Sequence, residues 1–158
     1  MVRAVKTWCA LGWFVVLLAG CASHDDGVEV RNFTLRDEAR GRGDDPMIRM
    51  EKQRRLLGAV SAEERRQRLG DYYSVKWRHA DGGEAQGEVT VEFRYRQGAT
   101  ASRVKRMTRN FSAAATEGMA EFAVIGDDYF KNGRILAWEV LLKRGGRVVA
   151  SERSYLWR

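Results

Sequence analysis

The chain has 158 residues, enough for about one domain, and carries 28 Lys and Arg against 21 Asp and Glu, a formal charge of +7. With 44% hydrophobic and 31% charged residues it can form a core yet is far from a polytopic membrane protein, and its single Pro does not suggest collagen or a proline-rich linker. Two cysteines and two histidines are too few for a zinc cluster or a disulfide framework, so we expect no metal and no cofactor.

Residues 1–20 have the layout of a secretory signal peptide. Arg3 and Lys6 make the start positive, and the stretch from Thr7 to Ala19 has no charge. This apolar stretch is about a dozen residues long, short of the roughly 20 that span a bilayer. We therefore expect the segment to direct export and to be removed.

The segment ends in Leu18-Ala19-Gly20-Cys21, which is an aliphatic residue, two small residues and a cysteine. This run resembles the lipobox of bacterial lipoproteins. The resemblance implies cleavage after Gly20, a diacylglyceryl group on the Cys21 thiol and an acylated, typically palmitoylated, new amino terminus. The next residue is Ala22 rather than Asp, which by the family's sorting tendency favours the outer membrane. The alternatives are a plain secretory peptide with an incidental cysteine and an uncleaved anchor helix.

The mature chain would carry 26 basic and 21 acidic residues, a net charge of +5. Residues 21–27 form a small, polar tether, which at roughly 3.3 Å per residue extends about 20 Å. The folded body would therefore lie close to the membrane. Because Cys21 is the only cysteine left, the body must be stabilised by its core without a disulfide.

Residues 28–70 predict a first strand and a helical pair. The strand is expected over 28–36, followed by a charged loop over 37–45. A helix over 46–58 would start at Pro46, which suits a first helical turn.

Capping residues support both helices. Asp44 or Asp45 can cap the first helix. Ser61 and Glu64 form a capping-box pattern that opens a second short helix, and Gly70 stops it.

From residue 71 the hydrophobic period changes from 3.6 to 2, which marks a change to strands. Two half-buried strands alternate apolar and polar residues, and the turn cluster Asp81-Gly82-Gly83 between them predicts a hairpin or an adjacent pair. Their core-facing residues are expected to be Tyr73, Val75, Trp77, Val89, Val91, Phe93 and Tyr95.

Two further strands follow. Residues 103–111 alternate poorly and carry a row of basic residues, which favours an edge strand that avoids pairing with other chains. Residues 118–125 form another strand, with Phe122 and Val124 as core residues.

The last two strands, 135–143 and 148–157, flank Gly145-Gly146, which fits a two-residue hairpin loop with positive φ. With that loop, Arg144 faces Arg147 and Glu139 faces Glu152. The other predicted partners are Leu142 with Val149, Val140 with Ser151, Trp138 with Arg153 and Leu136 with Tyr155.

Six or seven mostly antiparallel strands over 71–158 predict a mainly β protein. The pattern resembles an immunoglobulin-like or fibronectin-like β-sandwich, without the paired cysteines of antibody domains. We expect this small antiparallel sandwich to be preceded by the short helical pair.

Glu139 and Glu152 are the strongest catalytic candidates. Two carboxylates about 5 Å apart could share a proton, hold a cation or hydrolyse a glycoside. The last of these makes an envelope glycan hydrolase the alternative function. The competing interpretation is a solvated sheet face on which neighbouring basic side chains neutralise both carboxylates.

Two other polar features offer weaker support for a functional site. Asp127-Asp128 could contribute to a calcium site but lacks the repeated oxygen ligands of a recognised loop, so a polar turn is favoured. His79 follows a strand without a second metal-ligating residue nearby, which favours a structural role.

Basic residues across the helical pair are the main chemical bias of the mature chain. They could bind a polyanion: anionic lipid head groups or an acidic envelope polymer. A solvated helix face is the alternative, and nucleic acid is a poor partner for an exported protein. These candidates are Arg49, Lys52, Arg54, Arg55, Arg65, Arg66 and Arg68.

Aromatic residues among the strands could form a carbohydrate-stacking platform, although such alternation is more typical of a sandwich core. They are Tyr72, Trp77, Trp138, Tyr155 and Trp157. Together these patterns predict a non-enzymatic, lipid-anchored protein of the bacterial envelope that binds another envelope protein through a strand edge or an acidic polymer through its helices.

Overall fold

The computed structural model describes residues 27–37, 45–79, 87–100 and 102–158. Cys21, the preceding signal segment and the turn cluster at 81–83 lie outside these residues. The described elements are β1 (Gly27–Leu35), α1 (Pro46–Leu56), α2 (Ala62–Arg66), β2 (Gly70–Arg78), β3 (Val89–Gln97), a 3₁₀ turn (Gly98–Thr100), β4 (Lys105–Phe111), β5 (Glu117–Ile125), α3 (Gly126–Asn132), β6 (Ile135–Arg144) and β7 (Arg147–Arg153).

The strands form two antiparallel sheets. The first has the order β1-β2-β5 and the second has the order β4-β3-β6-β7. The prediction of a small antiparallel β-sandwich is confirmed. Because β1 pairs with β2, it belongs to the sandwich, and the helical pair is inserted between these two strands.

Period-2 alternation builds the core between the sheets, since alternate side chains of each strand point to the same face. Aromatic rings cross the interface, with Phe93 lying 4.8 Å from Tyr73 and 5.2 Å from Phe122 between ring centroids. All the predicted core residues of β2, β3 and β5 are buried: Tyr73, Val75, Trp77, Val89, Val91, Phe93, Tyr95, Phe122 and Val124.

The predicted pairing of β2 with β3 is wrong. β2 lies between β1 and β5, whereas β3 lies between β4 and β6 in the other sheet. Both strands bury one face in the same core, so alternation alone could not distinguish neighbours within a sheet from strands facing each other across the sandwich.

The helix starts are confirmed and the helix ends differ. Asp45 caps α1 by accepting from the Met47 N–H at 2.8 Å, and Ser61 and Glu64 form the expected capping box. α1 ends at Leu56, two residues before its predicted end, and α2 at Arg66. Gly70, expected to stop α2, instead begins β2 with a φ of 145°.

β4 is an edge strand of the second sheet, as predicted, and β5 lies where expected. The segment at Asp127-Asp128 is not a simple turn, because both residues lie in the first turn of the helix α3. Their carboxylates complement the positive helix N-terminus there.

The hairpin of β6 and β7 has the predicted loop, with φ values of 55° and 83° at Gly145 and Gly146. Arg144 does face Arg147, but the register shifts between Leu142 and Lys143. From there on each predicted partner is displaced by one residue, and β7 ends at Arg153.

The displaced register overturns the predicted pairs. Leu142 faces Ala150 instead of Val149, Val140 faces Glu152 instead of Ser151, and β7 ends before it could bring Tyr155 opposite Leu136. Trp138 receives a hydrogen bond from the Ser154 N–H on its carbonyl, at 2.9 Å, where Arg153 was expected beside it. One extra residue in β7 at the irregularity accounts for the displacement, and a bulge of this kind leaves little trace in alternation.

Candidate functional site

α1 lies on the outer face of the first sheet. A small apolar cluster there is formed by Leu35, Leu69 and Tyr72, with Leu56 of α1 packed against it. Tyr72 also donates its hydroxyl to the Arg68 carbonyl at 2.6 Å. These contacts fix the end of α1 and the turn after α2 to the sheet.

The side of α1 that faces the sheet is mainly polar. Arg55 has only 12% of its side chain exposed and donates to Glu51 at 2.7 Å, while Glu121 of β5 lies 3.4 Å away. The Arg55 guanidinium also stacks 4.3 Å above the ring of Tyr72, a cation–π contact. Ion pairs and stacking therefore hold this side of the helix, in place of the usual apolar stripe.

The Glu51 carboxylate is the centre of this network. The hydrogen bonds from Arg54, at 2.8 Å, and from Arg55 outweigh the effect of burial and lower the pKa of Glu51 to about 2. Glu51 is therefore ionised throughout the neutral range. The network needs its negative charge to hold two arginines side by side.

The opposite side of α1 exposes apolar residues. Met47, Met50 and Leu57 are 70%, 62% and 79% exposed. Their spacing of three and seven residues places them on one helix face. We call these three residues the α1 outer surface; Glu51, Gln53 and Arg54 line it as well.

Most of the predicted polyanion-binding cations hold the helical pair together. Arg68 donates to the carbonyls of Leu57 and Arg55 at 2.8 and 3.1 Å, and Arg65 to that of Ala59 at 3.4 Å. Such bonds satisfy carbonyls that a helix end leaves without partners.

Arg66, Lys52 and Arg49 complete the predicted set. Arg66 stacks 4.4 Å above Phe130 and lies 3.8 Å from Asp127. Lys52 is half-buried, and Arg49 is exposed with no carboxylate partner among the described residues. The sequence therefore located the cations, but the structure uses most of them internally.

Glu139 and Glu152 are not paired. Glu139 faces Arg153 and Glu152 faces Val140, so the two carboxylates point to opposite faces of the sheet. Glu139 lies 3.4 Å from Arg94. The geometry that motivated a two-carboxylate glycan hydrolase is absent from this hairpin.

Glu92 is the buried carboxylate that alternation did not reveal. It lies on the outer face of the second sheet and accepts hydrogen bonds from Arg94 and, at 2.6 Å, from Lys143. Burial raises the pKa of Glu92, but these hydrogen bonds outweigh it and hold the pKa below its usual value. The group is a structural ion cluster.

Asp128 connects α3 to β4. Its carboxylate accepts from Lys105 at 2.7 Å and from Asn132 at 2.6 Å. Burial opposes ionisation, yet these bonds lower the pKa of Asp128. Within the described ranges no three His, Cys, Asp or Glu side chains are grouped so as to hold a metal ion.

The remaining candidates do not form a common surface. Trp77 is buried in the core, whereas Tyr72 lies in the cluster under α1 on the other face of β2. Tyr155 is 87% exposed, and Trp157 lies under the Arg96 guanidinium at 5.0 Å.

Trp138 and His79 complete this set. Trp138 makes an edge contact with Tyr73 at 6.0 Å and so packs against the core. His79, just after β2, donates its backbone N–H to the Thr116 carbonyl at 2.7 Å.

The α1 outer surface was missed at the level of sequence. A helical projection would have placed Met47, Met50 and Leu57 together. It would not have shown which side of the helix faces the sheet. That depended on the ion pair to Glu121, which is contributed by a strand more than 60 residues away.

No protein-family model, curated protein or solved structure matches the chain. In the part of the chain that the structure describes, no helix is long and apolar enough to cross a membrane.

Proposed function

We propose that the protein is a lipoprotein of the bacterial envelope, held on the membrane by acyl chains on Cys21, with a non-catalytic binding domain. The lipobox resemblance of Leu18-Ala19-Gly20-Cys21 supports the anchor and, with Ala22, the outer membrane. The sandwich of seven strands in sheets of three and four supports grouping the domain with immunoglobulin-like and fibronectin-like folds.

The α1 outer surface is the part of the domain that contacts the bilayer. The observation that carries this proposal is the orientation of α1, which directs Arg55 to the sheet and Met47, Met50 and Leu57 to solvent. Exposed apolar side chains can enter a membrane interface, where they bury apolar area. Arg49, which has no carboxylate partner among the described residues, would contact an anionic head group, at about 1 kcal/mol for a basic residue near the surface.

The proposed tether and α1 lie towards opposite ends of the first sheet. β1 starts at Gly27 and ends at Leu35, beside the cluster under α1. Nine residues of strand extend about 30 Å, so α1 lies near the far end of the sheet from the anchor. A sandwich lying with its first sheet towards the bilayer would bring both the tether and α1 to the membrane.

The anchor is tested by the intact mass of the protein from a bacterial membrane fraction, beside a Cys21→Ala variant. We expect the wild-type mass to equal residues 21–158 plus acyl chains, and the variant to remain unprocessed. An unmodified or full-length wild type would overturn the anchor.

The membrane contact is tested with an environment-sensitive fluorophore on Met50→Cys, in the full protein reconstituted into vesicles containing phosphatidylglycerol. The matched control is the same label on Val148→Cys, which is 54% exposed on β7 in the second sheet. We expect brominated lipid to quench the label at position 50 and not the label at position 148. Equal quenching at the two positions would overturn this orientation.

A further inference from the structure

β4 offers an open sheet edge. Within the described residues it pairs with β3 alone, through the register from Val89–Phe111 to Tyr95–Lys105. The other outer strand of the same sheet, β7, lies beside β1 of the first sheet. One side of β4 therefore presents the unpaired backbone N–H and C=O groups of an edge.

Most of the positive charge on this edge has no acidic partner within the described residues. No acidic residue occurs between 102 and 116. Arg103, Arg106 and Arg109 are exposed and have no carboxylate partner within the described residues, whereas Lys105 is paired with Asp128. Arg109 stacks on Phe122 at 5.6 Å, which is a contact with a ring.

The position of Arg106 is electrostatically unfavourable in the isolated chain. It lies directly opposite Arg94 on β3, and like charges in opposed positions destabilise a sheet. Arg94 is compensated by Glu92 and Glu139. Arg106 has no such partner in the described part of the chain, and an added carboxylate beside it would remove the imbalance.

We propose that β4 is the docking strand for an extended acidic segment of another protein, which adds to the second sheet as a fifth strand. Backbone hydrogen bonds would supply affinity, and the arginines would select acidic side chains. This inference gives the proposed binding domain its partner and so rests on that proposed function, although it does not require the lipid anchor.

The charge distribution argues against a second copy of this chain as the occupant. Antiparallel pairing of two β4 strands would place two basic rows side by side, and like charges oppose such pairing. An acidic polymer without a peptide backbone would meet the same charges but could not continue the hydrogen-bond ladder.

The geometry also specifies the spacing of acids in the partner. Arg106 and Arg109 are three residues apart and point to opposite faces of the sheet, since Arg106 faces Arg94 and Arg109 faces the buried Val91. Side chains directly opposite in a sheet share a face. Two acidic residues three apart in the added strand would therefore meet both arginines.

The test uses the full chain purified from membranes in a neutral detergent, and a fluorescent nine-residue peptide of Thr and Val with two Glu three residues apart. We expect saturable binding by fluorescence anisotropy. A peptide with N-methylated backbone amides should bind at least tenfold more weakly, since it keeps the charge but cannot pair. A peptide with its two Glu adjacent should also bind more weakly.

Variants locate the site. Arg106→Glu with Arg109→Glu should weaken binding at least tenfold, while the matched control Arg147→Glu on the opposite edge strand should change it less than twofold. Unchanged thermal unfolding of each variant shows that the fold is kept. Absence of saturable binding, or binding indifferent to N-methylation, would overturn the proposal even if the mass of the protein confirms the anchor.

Discussion

Glu51 shows how one carboxylate can set the acid stability of the helical pair. Its pKa in the folded protein is about 2, against an ordinary value of 4.5, chiefly because Arg54 and Arg55 bond its ionised form. A lowered pKa stabilises the fold fully above the ordinary value, and the stabilisation is lost as the pH falls towards the folded value.

We therefore predict that the difference in unfolding free energy between the wild type and Glu51→Gln is largest above pH 4.5 and shrinks between pH 4.5 and about 2. Urea denaturation at several pH values measures it. Glu29→Gln, on an exposed ion pair of β1, is the control and should give a small difference throughout. A constant difference for Glu51→Gln would contradict the role of the ionised carboxylate.

Gly70 joins α2 to β2 in a conformation that other residues rarely adopt. Its φ is 145°, and a Cβ there would lie 2.2 Å from the Val124 carbonyl oxygen. Because that oxygen and the Ile125 Cα, 2.8 Å from the same position, are backbone atoms, Gly70→Ala should destabilise the fold by about 3 kcal/mol.

Gly98→Ala is the matched control, since nothing lies within 4 Å of its Cβ position. Thermal or urea unfolding should show a change within about 0.5 kcal/mol for that variant. Comparable losses at both positions would mean that the close approach of Gly70 to β5 is not what limits substitution.

At the scale of elements, α1 packs on the sheet largely through the polar Arg55 and leaves its two methionines exposed. Its outward methionines contribute little to folding, so Met47→Ser with Met50→Ser should change the unfolding free energy by no more than about 0.5 kcal/mol. Arg55→Ala, which removes an ion pair and the stack on Tyr72, should cost about 1–2 kcal/mol. Urea denaturation compares them, and the reverse order would show that the orientation of α1 is wrong.

The sequence predicted which face of a strand is buried better than it predicted which strands are neighbours in a sheet. Alternation identified the buried side of β2 and β3, because burial acts on each strand separately. It could not assign the two strands to different sheets, since that choice depends on how the whole chain closes. The Glu139–Glu152 pair failed for a related reason, because one extra residue in β7 moves Glu152 to the face of the sheet opposite Glu139.

The candidate site followed the same rule. Cations and caps are local, so Asp45, Ser61 and the basic residues of the helical pair were found from the sequence. The direction in which α1 faces was not found from the sequence. It is determined by contacts with Glu121 and Tyr72, which only the fold brings close to the helix. The positively charged edge was recognised as an edge from the sequence, but only the assembled sheet places Arg106 opposite Arg94, without a carboxylate partner among the described residues.

On the scale of the whole molecule, Asp71 links the two sheets. Its buried carboxylate accepts from the Thr34 hydroxyl at 2.7 Å in the first sheet and from the Ile135 N–H at 2.9 Å at the start of β6 in the second. Asp71→Ala would leave both partly buried donors without this acceptor.

We expect Asp71→Ala to cost about 2–3 kcal/mol in urea denaturation. Asp127→Ala, an exposed position in α3, is the control and should cost much less. Hydrogen exchange of the Ile135 amide should accelerate in the Asp71 variant, and an unaltered exchange rate there would contradict the bridging role.

The position of β1 has a mechanical consequence. If Cys21 is the anchor, any pull between the membrane and a ligand on β4 enters the body at Gly27, the first residue of β1. β1 and β4 are at opposite margins of the sandwich, so the load crosses β2 and the aromatic core before it reaches the ligand. A pull along β1 loads all nine of its register pairs with β2 at the same time. Strands loaded in this shear geometry would resist separation, since no single pair can open first.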